Sequence, residues 1–261
     1  MNKHIVSKDN PWFKKLKQLS LDNTAYRVQK NVWIEGEHLC QAAVHRGWRF
    51  DQLVLADHVS EDVVAQWQAC CDEVVLIPQA MMDILSALPS PSWIGGIVRL
   101  PELDKLSFVT ATVVLDGVQD PGNAGAILRS AAAFGFSQVV STKASVALWS
   151  PKVVRAGMGA HFGLSIHESV SIPVVMELGL PIYVTSSHDG RWLHELAGSH
   201  VLQMPCVWVL GHEGRGVSDQ WLTTHVQSVR IAQPGGEESL NVAAAAAICM
   251  HASATQSLKS N

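Results

Sequence analysis

The sequence predicts an α/β protein whose main sheet is mostly parallel and covered by helices on both faces. Three observations carry this. Short apolar, β-branched runs alternate with longer segments of helical period along most of the 261 residues. The run Val207–Leu210 is wholly apolar, as a strand buried on both sides must be. A break at residues 90–105, marked by Pro91, Gly95, Gly96 and Pro101, separates a small N-terminal α/β unit from a longer one, so two domains are expected, at 1–100 and 107–261.

The elements follow in order. Residues 33–46 carry Ile34, Leu39, Ala42 and Ala43 at helical spacing, and 61–71 reads as a second helix between strands at 50–55 and 73–77. After the break, strands are predicted at 110–115, 138–141, 182–185, 206–210 and 228–231, with helices at 124–134, 147–154, 192–196 and 241–257. The most informative stretch is LDGVQDPGNAGAILRSAAAFGF, from Leu115 to Phe136. It reads as a strand, a polar turn (Asp116-Gly117, Asp120-Pro121-Gly122) and an Ala-rich helix with Asn123 as its cap. Ile127, Ala131 and Phe134 share the buried face, and Arg129 points about 200° away from Ile127. A cap Asn and an outward Arg at a helix N-terminus suit an anionic ligand.

Two further strand ends carry unusual polar residues. Residues 207–219, VWVLGHEGRGVSD, run a buried strand into a Gly-rich loop holding Glu213 and Arg215. Residues 230–252, RIAQPGGEESLNVAAAAAICMHA, run a strand through a Gly/Glu loop into a helix opened by Ser239-Leu240-Asn241. Ligands of open α/β sheets bind at strand carboxyl ends, and glycines there let the backbone approach them closely. Asn123 and Ser239 can each be simple caps, Arg129 a solvated helix residue and Glu213 a loop carboxylate; their joint placement points to a site.

Composition excludes several classes. At 48% apolar and 16% charged, the chain is not disordered. A net charge of −4 and a pI near 6.3 do not announce nucleic-acid binding, but residues 1–30 set Lys3, Lys8, Lys14, Lys15, Lys17, Arg27 and Lys30 against only Asp9 and Asp22. Such an arm can touch phosphates or be a solvated amphipathic segment. Cys40, Cys70, Cys71, Cys206 and Cys249 are irregularly spaced, which fits buried free thiols rather than disulfides or zinc. No G-x-G-x-x-G follows a strand, and neither a phosphate loop nor H-E-x-x-H occurs, so a dinucleotide, an NTP and a catalytic metal are not expected. The N-terminus lacks a signal-peptide core, and the longest apolar run, at 242–250, is about half a membrane span. A cytoplasmic protein with no membrane association is expected.

The three segments DPGNAGAILRSAAAFG, VLGHEGRGVSD and RIAQPGGEESLNVAAAAAI resemble, in order, the three signature motifs of the SpoU (TrmH-like) branch of the SPOUT RNA methyltransferases. The likeness runs from Ser107 to the end. The segment AYRVQKNVWIEGEHLCQAAV resembles the ribosomal-protein-like α/β substrate-binding domain that often precedes that core. The resemblance implies a deep trefoil knot in the C-terminal domain, a rare exception to unthreaded chains. It implies methyl transfer from S-adenosylmethionine to a ribose 2′-hydroxyl of structured RNA, with ribosomal RNA ahead of transfer RNA, by a homodimer that needs no metal. The alternative is an RNA-binding or ribosome-assembly protein without catalysis. The family's functional positions fall on Asn123, Arg129, Glu213, Ser239 and Asn241, and its cofactor contacts on Gly211, Ile231 and Leu240, with Val209 and Leu210 nearby. Two positions depart from the pattern. Ala232-Gln233 stands where Pro-Met is common, at the methionine end of the cofactor pocket, and Ala243 replaces a common Ser.

Overall fold

Asn10 accepts a hydrogen bond from the Trp12 N–H at 2.9 Å and, with Pro11 behind it, starts the first helix. In this computed structural model, which describes residues 3–103, 105–198, 202–223, 225–236 and 239–257, the N-terminal elements are β1 (Lys3–His4), α1 (Pro11–Leu21), α2 (Ala25–Gln29), β2 (Asn31–Glu35), α3 (Glu37–His45), β3 (Phe50–Ala56), α4 (Glu61–Gln68), β4 (Cys71–Ile77), α5 (Gln79–Leu85) and β5 (Ile94–Arg99). They continue with β6 (Thr112–Asp116), α6 (Pro121–Ala133), β7 (Gln138–Ser141), α7 (Pro151–Ala156), β8 (Ser165–His167), α8 (Ile172–Met176), β9 (Ile182–Thr185), β10 (Arg191–Trp192), α9 (Leu193–Gly198), β11 (Val207–Gly211), β12 (Val226–Arg230) and α10 (Val242–Ser257). No helix among the described residues is long and apolar enough to cross a membrane.

The chain divides into two units, one of residues 1–102 with 149–162 and one of residues 103–148 with 163–261. The first is built on a five-stranded sheet of order β1-β4-β3-β5-β2, in which β5 runs antiparallel to both β2 and β3. Here the structure corrects the sequence reading. Residues 33–35 belong to β2, and helix α3 begins only after Gly36, whose φ of 98° turns the chain. The break at 90–105 contains β5, a central strand. Gly95 and Gly96 are not a linker there: a Cβ on Gly95 would lie 2.2 Å from the Trp33 ring, and one on Gly96 2.2 Å from the Phe50 ring. Glycine marks a strand crossed by large neighbours.

The segment Trp149–Phe162, expected in the C-terminal domain, packs within the first unit. The Trp48 indole N–H donates to the Phe162 carbonyl at 2.9 Å, Trp48 lies against the Trp149 and Phe162 rings, and α7 packs on β2. The helix expected at 147–154 starts at Pro151, and the helix expected at 61–71 ends at Gln68 because Cys71 opens β4.

The second unit holds a seven-stranded sheet of order β10-β12-β9-β11-β6-β7-β8, parallel at every pairing. Val207 and Val209 of β11 face a core with Val114, Val184, Val175, Leu178 and Trp221. Trp208 faces the other way, lies tilted against the Tyr183 ring and donates its indole N–H to Ser253 of α10 at 2.9 Å. That alternation covers the sheet on both faces and explains why β11 is apolar throughout. From β6 the chain moves outward to β7 and β8, then returns beyond β11 to β9. The order thus reverses between β6 and β11, and the crevice at such a switch point is where ligands of this architecture bind.

Candidate active site

β6 and β11 pair in register from Val207 opposite Thr112 to Gly211 opposite Asp116, so the loops that follow them leave side by side. Buried Asp116 holds them. One of its oxygens accepts from the Thr142 hydroxyl at 3.1 Å, and the other from the Ser218 N–H at 2.7 Å. The loop after β11 folds back on itself: the His212 and Gly216 backbones bond reciprocally at 2.9 Å, and the Gly214 N–H donates to His212 Nδ1 at 2.9 Å. Gly211 has to be glycine, since a Cβ would lie 2.2 Å from the Gly216 carbonyl carbon.

This fold-back delivers Glu213 to the turn after β6. Its Oε1 accepts from the Asp120 N–H and the Asn123 amide, both at 3.1 Å, and its Oε2 from the Gln119 N–H at 3.3 Å. The Glu213 carboxyl sits below its ordinary pKa. Burial pushes it up, but hydrogen bonds from its own N–H, from the Asn123 amide and from the Asp120 and Gln119 N–H groups outweigh that.

Asn123 is not the cap of α6. Asp120 fills that place, accepting from the Asn123 N–H at 2.7 Å, and the helix begins at Pro121. Asn123, three residues past the cap instead of at it, is freed to reach sideways. Its Oδ1 accepts from the Asn241 amide at 2.9 Å. Asn241 caps α10, its own Oδ1 accepting from the N–H groups of Ala243 at 2.9 Å and Ala244 at 3.2 Å. Ser239 does not cap, because α10 starts only at Val242. Each amide's orientation is dictated by its neighbour: the cap uses the Asn241 oxygen, so its NH2 donates to Asn123, whose NH2 donates to the carboxylate. The Asn241–Asn123–Glu213 relay thus joins all three polar strand ends.

Beside it lies a cavity of about 700 Å³ lined by Gly211, Glu213, Ile231, Ser239, Leu240 and Asn241, among others. Val209 and Leu210 are not on its wall; they are buried inside β11, where the Val209 carbonyl accepts from the Thr185 hydroxyl at 3.2 Å. Arg129 is exposed on α6, outside the cavity lining, with no hydrogen bond or ion pair among the described residues. The Glu237-Glu238 pair of the third polar loop lies outside the described residues. Sequence reasoning missed a fourth contributor: the loop after β9 brings Ser186, His188 and Asp189 to the same wall. Its signal, a polar SSHDG at the end of a predicted strand, was available.

The pattern of the SpoU rRNA Methylase family matches residues 110–251, more than half of the chain and all of the relay. The chain is 27% identical to the 23S rRNA (guanosine(2553)-2′-O)-methyltransferase RlmP of Bacillus subtilis, over 95% of this chain and 98% of that protein. A crystal structure of an RNA 2′-O ribose methyltransferase superposes with a TM-score of 0.78 at 27% identity, covering 98% of this chain and 99% of the other. An AdoMet-bound rRNA methyltransferase from Sinorhizobium meliloti shares the fold, with a TM-score of 0.81 over 96% of this chain and 97% of the other at 24% identity.

Proposed function

This chain belongs to the SpoU rRNA methylase family, and on that premise we propose that it methylates a ribose 2′-hydroxyl of ribosomal RNA, using S-adenosylmethionine. The observation that carries the proposal is the relay. It draws the three family motifs to one rim of a cavity whose size falls within the range of roughly 300–1,000 Å³ usual for small-molecule sites.

The residues present fit the cofactor. Ile231, Leu240 and Val242 give an apolar wall for a purine, glycines at 211, 214 and 216 bare the backbone for polar contacts, and the buried oxygen of Gln233 lacks a partner among the described residues. Gly211, Ile231 and Leu240 would hold it, with Val209 and Leu210 bracing Gly211 from within the strand. When bound, S-adenosylmethionine supplies a methyl group already activated on a sulfonium, so the chemistry calls for no metal.

The protein's task is to align the hydroxyl and stabilise charge as its proton leaves. Arg129 is the cation for that. Guanidinium does not deprotonate in proteins, so its part is to bind the target nucleotide's phosphate and stabilise the developing negative O2′, not to act as base. The Asn123 amide is committed to Glu213 and Asn241, which makes it a positioning residue for the rim. Glu213, with its lowered pKa, clamps the loop after β11 and is a poor proton acceptor. Ser239, exposed on the cavity wall, would orient ribose or cofactor.

A homodimer is part of the same proposal. Helix α10 is built from VAAAAAICMHASATQS and leaves Ile248 41% exposed beside an apolar groove formed with Leu193 and Ala197 of α9. The test is transfer from methyl-labelled S-adenosylmethionine to ribosomal RNA purified from cells lacking the protein. Label recovered in a ribose supports the proposal. Label in a base overturns the ribose assignment, and no label from a protein that binds cofactor overturns the choice of naked ribosomal RNA as substrate.

A further inference from the structure

Gln233 follows the end of β12 and lines the cavity, yet its side-chain oxygen Oε1 is buried and has no hydrogen-bond partner among the described residues. Buried acceptors without donors are rare and call for an explanation. The local turn does not supply one. It uses the backbone carbonyl of Gln233, which accepts from the Gly236 N–H at 3.2 Å, and leaves the side chain out. Arg215, on the same cavity wall, makes no bond to it. Gln233 is also one of the positions at which this chain departs from the motif it resembles, a Met being common there, and Met brings no strong acceptor.

An unpaired acceptor on a ligand-sized cavity selects a ligand that carries a donor. We propose that Gln233 accepts a hydrogen bond from an amino group of the cofactor, making it a specificity-determining residue of this chain. The inference rests on the cavity being the S-adenosylmethionine site. Two amino groups have the required chemistry, the α-ammonium of the methionyl end and the N6 amine of adenine.

Binding of S-adenosylhomocysteine, measured by calorimetry, tests this without turnover. Gln233→Met is expected to weaken binding about tenfold, the loss of roughly one hydrogen bond. The analogue without the α-amino group and the analogue with hypoxanthine in place of adenine identify the donor. The analogue lacking it binds wild type and variant equally, while the other keeps the tenfold gap. The melting temperature of the ligand-free variant should match or exceed that of wild type, because an unpaired acceptor has been removed. Unchanged S-adenosylhomocysteine affinity in Gln233→Met, the full gap persisting with both analogues, or a lowered ligand-free melting temperature would each overturn the inference while leaving the methyltransferase reading intact. A wild-type protein that fails to bind S-adenosylhomocysteine overturns that reading, and the inference with it.

Discussion

Asn123 is the residue on which the rim turns, because its amide both receives from Asn241 and gives to Glu213. Asn123→Ala breaks both bonds, and methyl transfer should fall about tenfold or more, as expected when two hydrogen bonds that fix the rim of the site are lost. Asn123→Asp should be worse, since it sets a second carboxylate against Glu213; steady-state rates of the two variants check the order. Arg129→Lys keeps the charge and loses the planar fork. Single-turnover transfer should drop by about a hundredfold or more with cofactor affinity unchanged, and near-wild-type transfer would remove any role for the guanidinium. Glu213 supplies a pH dependence. Its folded pKa is depressed, so its stabilisation is full above the ordinary carboxylate range and fades as pH falls through the lower, folded value. Glu213→Gln should therefore lower the melting temperature at pH 7 by an amount that shrinks steadily in acid, as thermal scans across pH will show.

At the scale of elements, β5 makes the sharpest demand. Gly96→Ala drives a methyl into the fully buried Phe50 ring and should cost about 1–3 kcal/mol, while Gly198→Ala, with nothing within 4 Å of its Cβ, should be neutral; denaturant unfolding separates them. The same strand shows where sequence reasoning stops. Gly95-Gly96 between prolines reads as a linker, because the two rings that fill the space over them, Trp33 and Phe50, lie 62 and 46 residues away in sequence. By contrast β6, β9 and β11 are legible, since strands buried on both faces must be apolar regardless of their partners, whereas β12, half-exposed and carrying Gln227, Ser228 and Arg230, starts two residues before the expected strand. The polar strand ends are legible for the converse reason: glycines, amides and charges gathered there do not fill a hydrophobic core. What could not be read was which amide caps. Asp120 and Asn123, like Ser239 and Asn241, are all competent caps, and only the register of α6 and α10 decides that Asp120 and Asn241 do so, leaving Asn123 to the relay.

At the scale of the whole molecule, chain order and spatial order part company. Residues 149–162 leave the second unit to pack with the first, a long-range arrangement that no local period records. The knot that the family likeness implies is likewise a property of the whole path and invisible to periodicity. The described cysteines are free thiols, four of them buried, and burial pushes Cys206 up to about 12, so the buried ones serve as core residues rather than nucleophiles. The central proposal is that this chain modifies a ribose in ribosomal RNA and does so through Arg129; the parallel sheet, its switch point and the relay support its first half. The most direct measurement is a map of 2′-O-methyl groups across the ribosomal RNA of cells lacking the protein, with and without wild-type or Arg129→Lys complementation. The account predicts a ribose methylation that disappears with the protein, returns with wild type and does not return with Arg129→Lys. An unchanged map, or full restoration by Arg129→Lys, would contradict it.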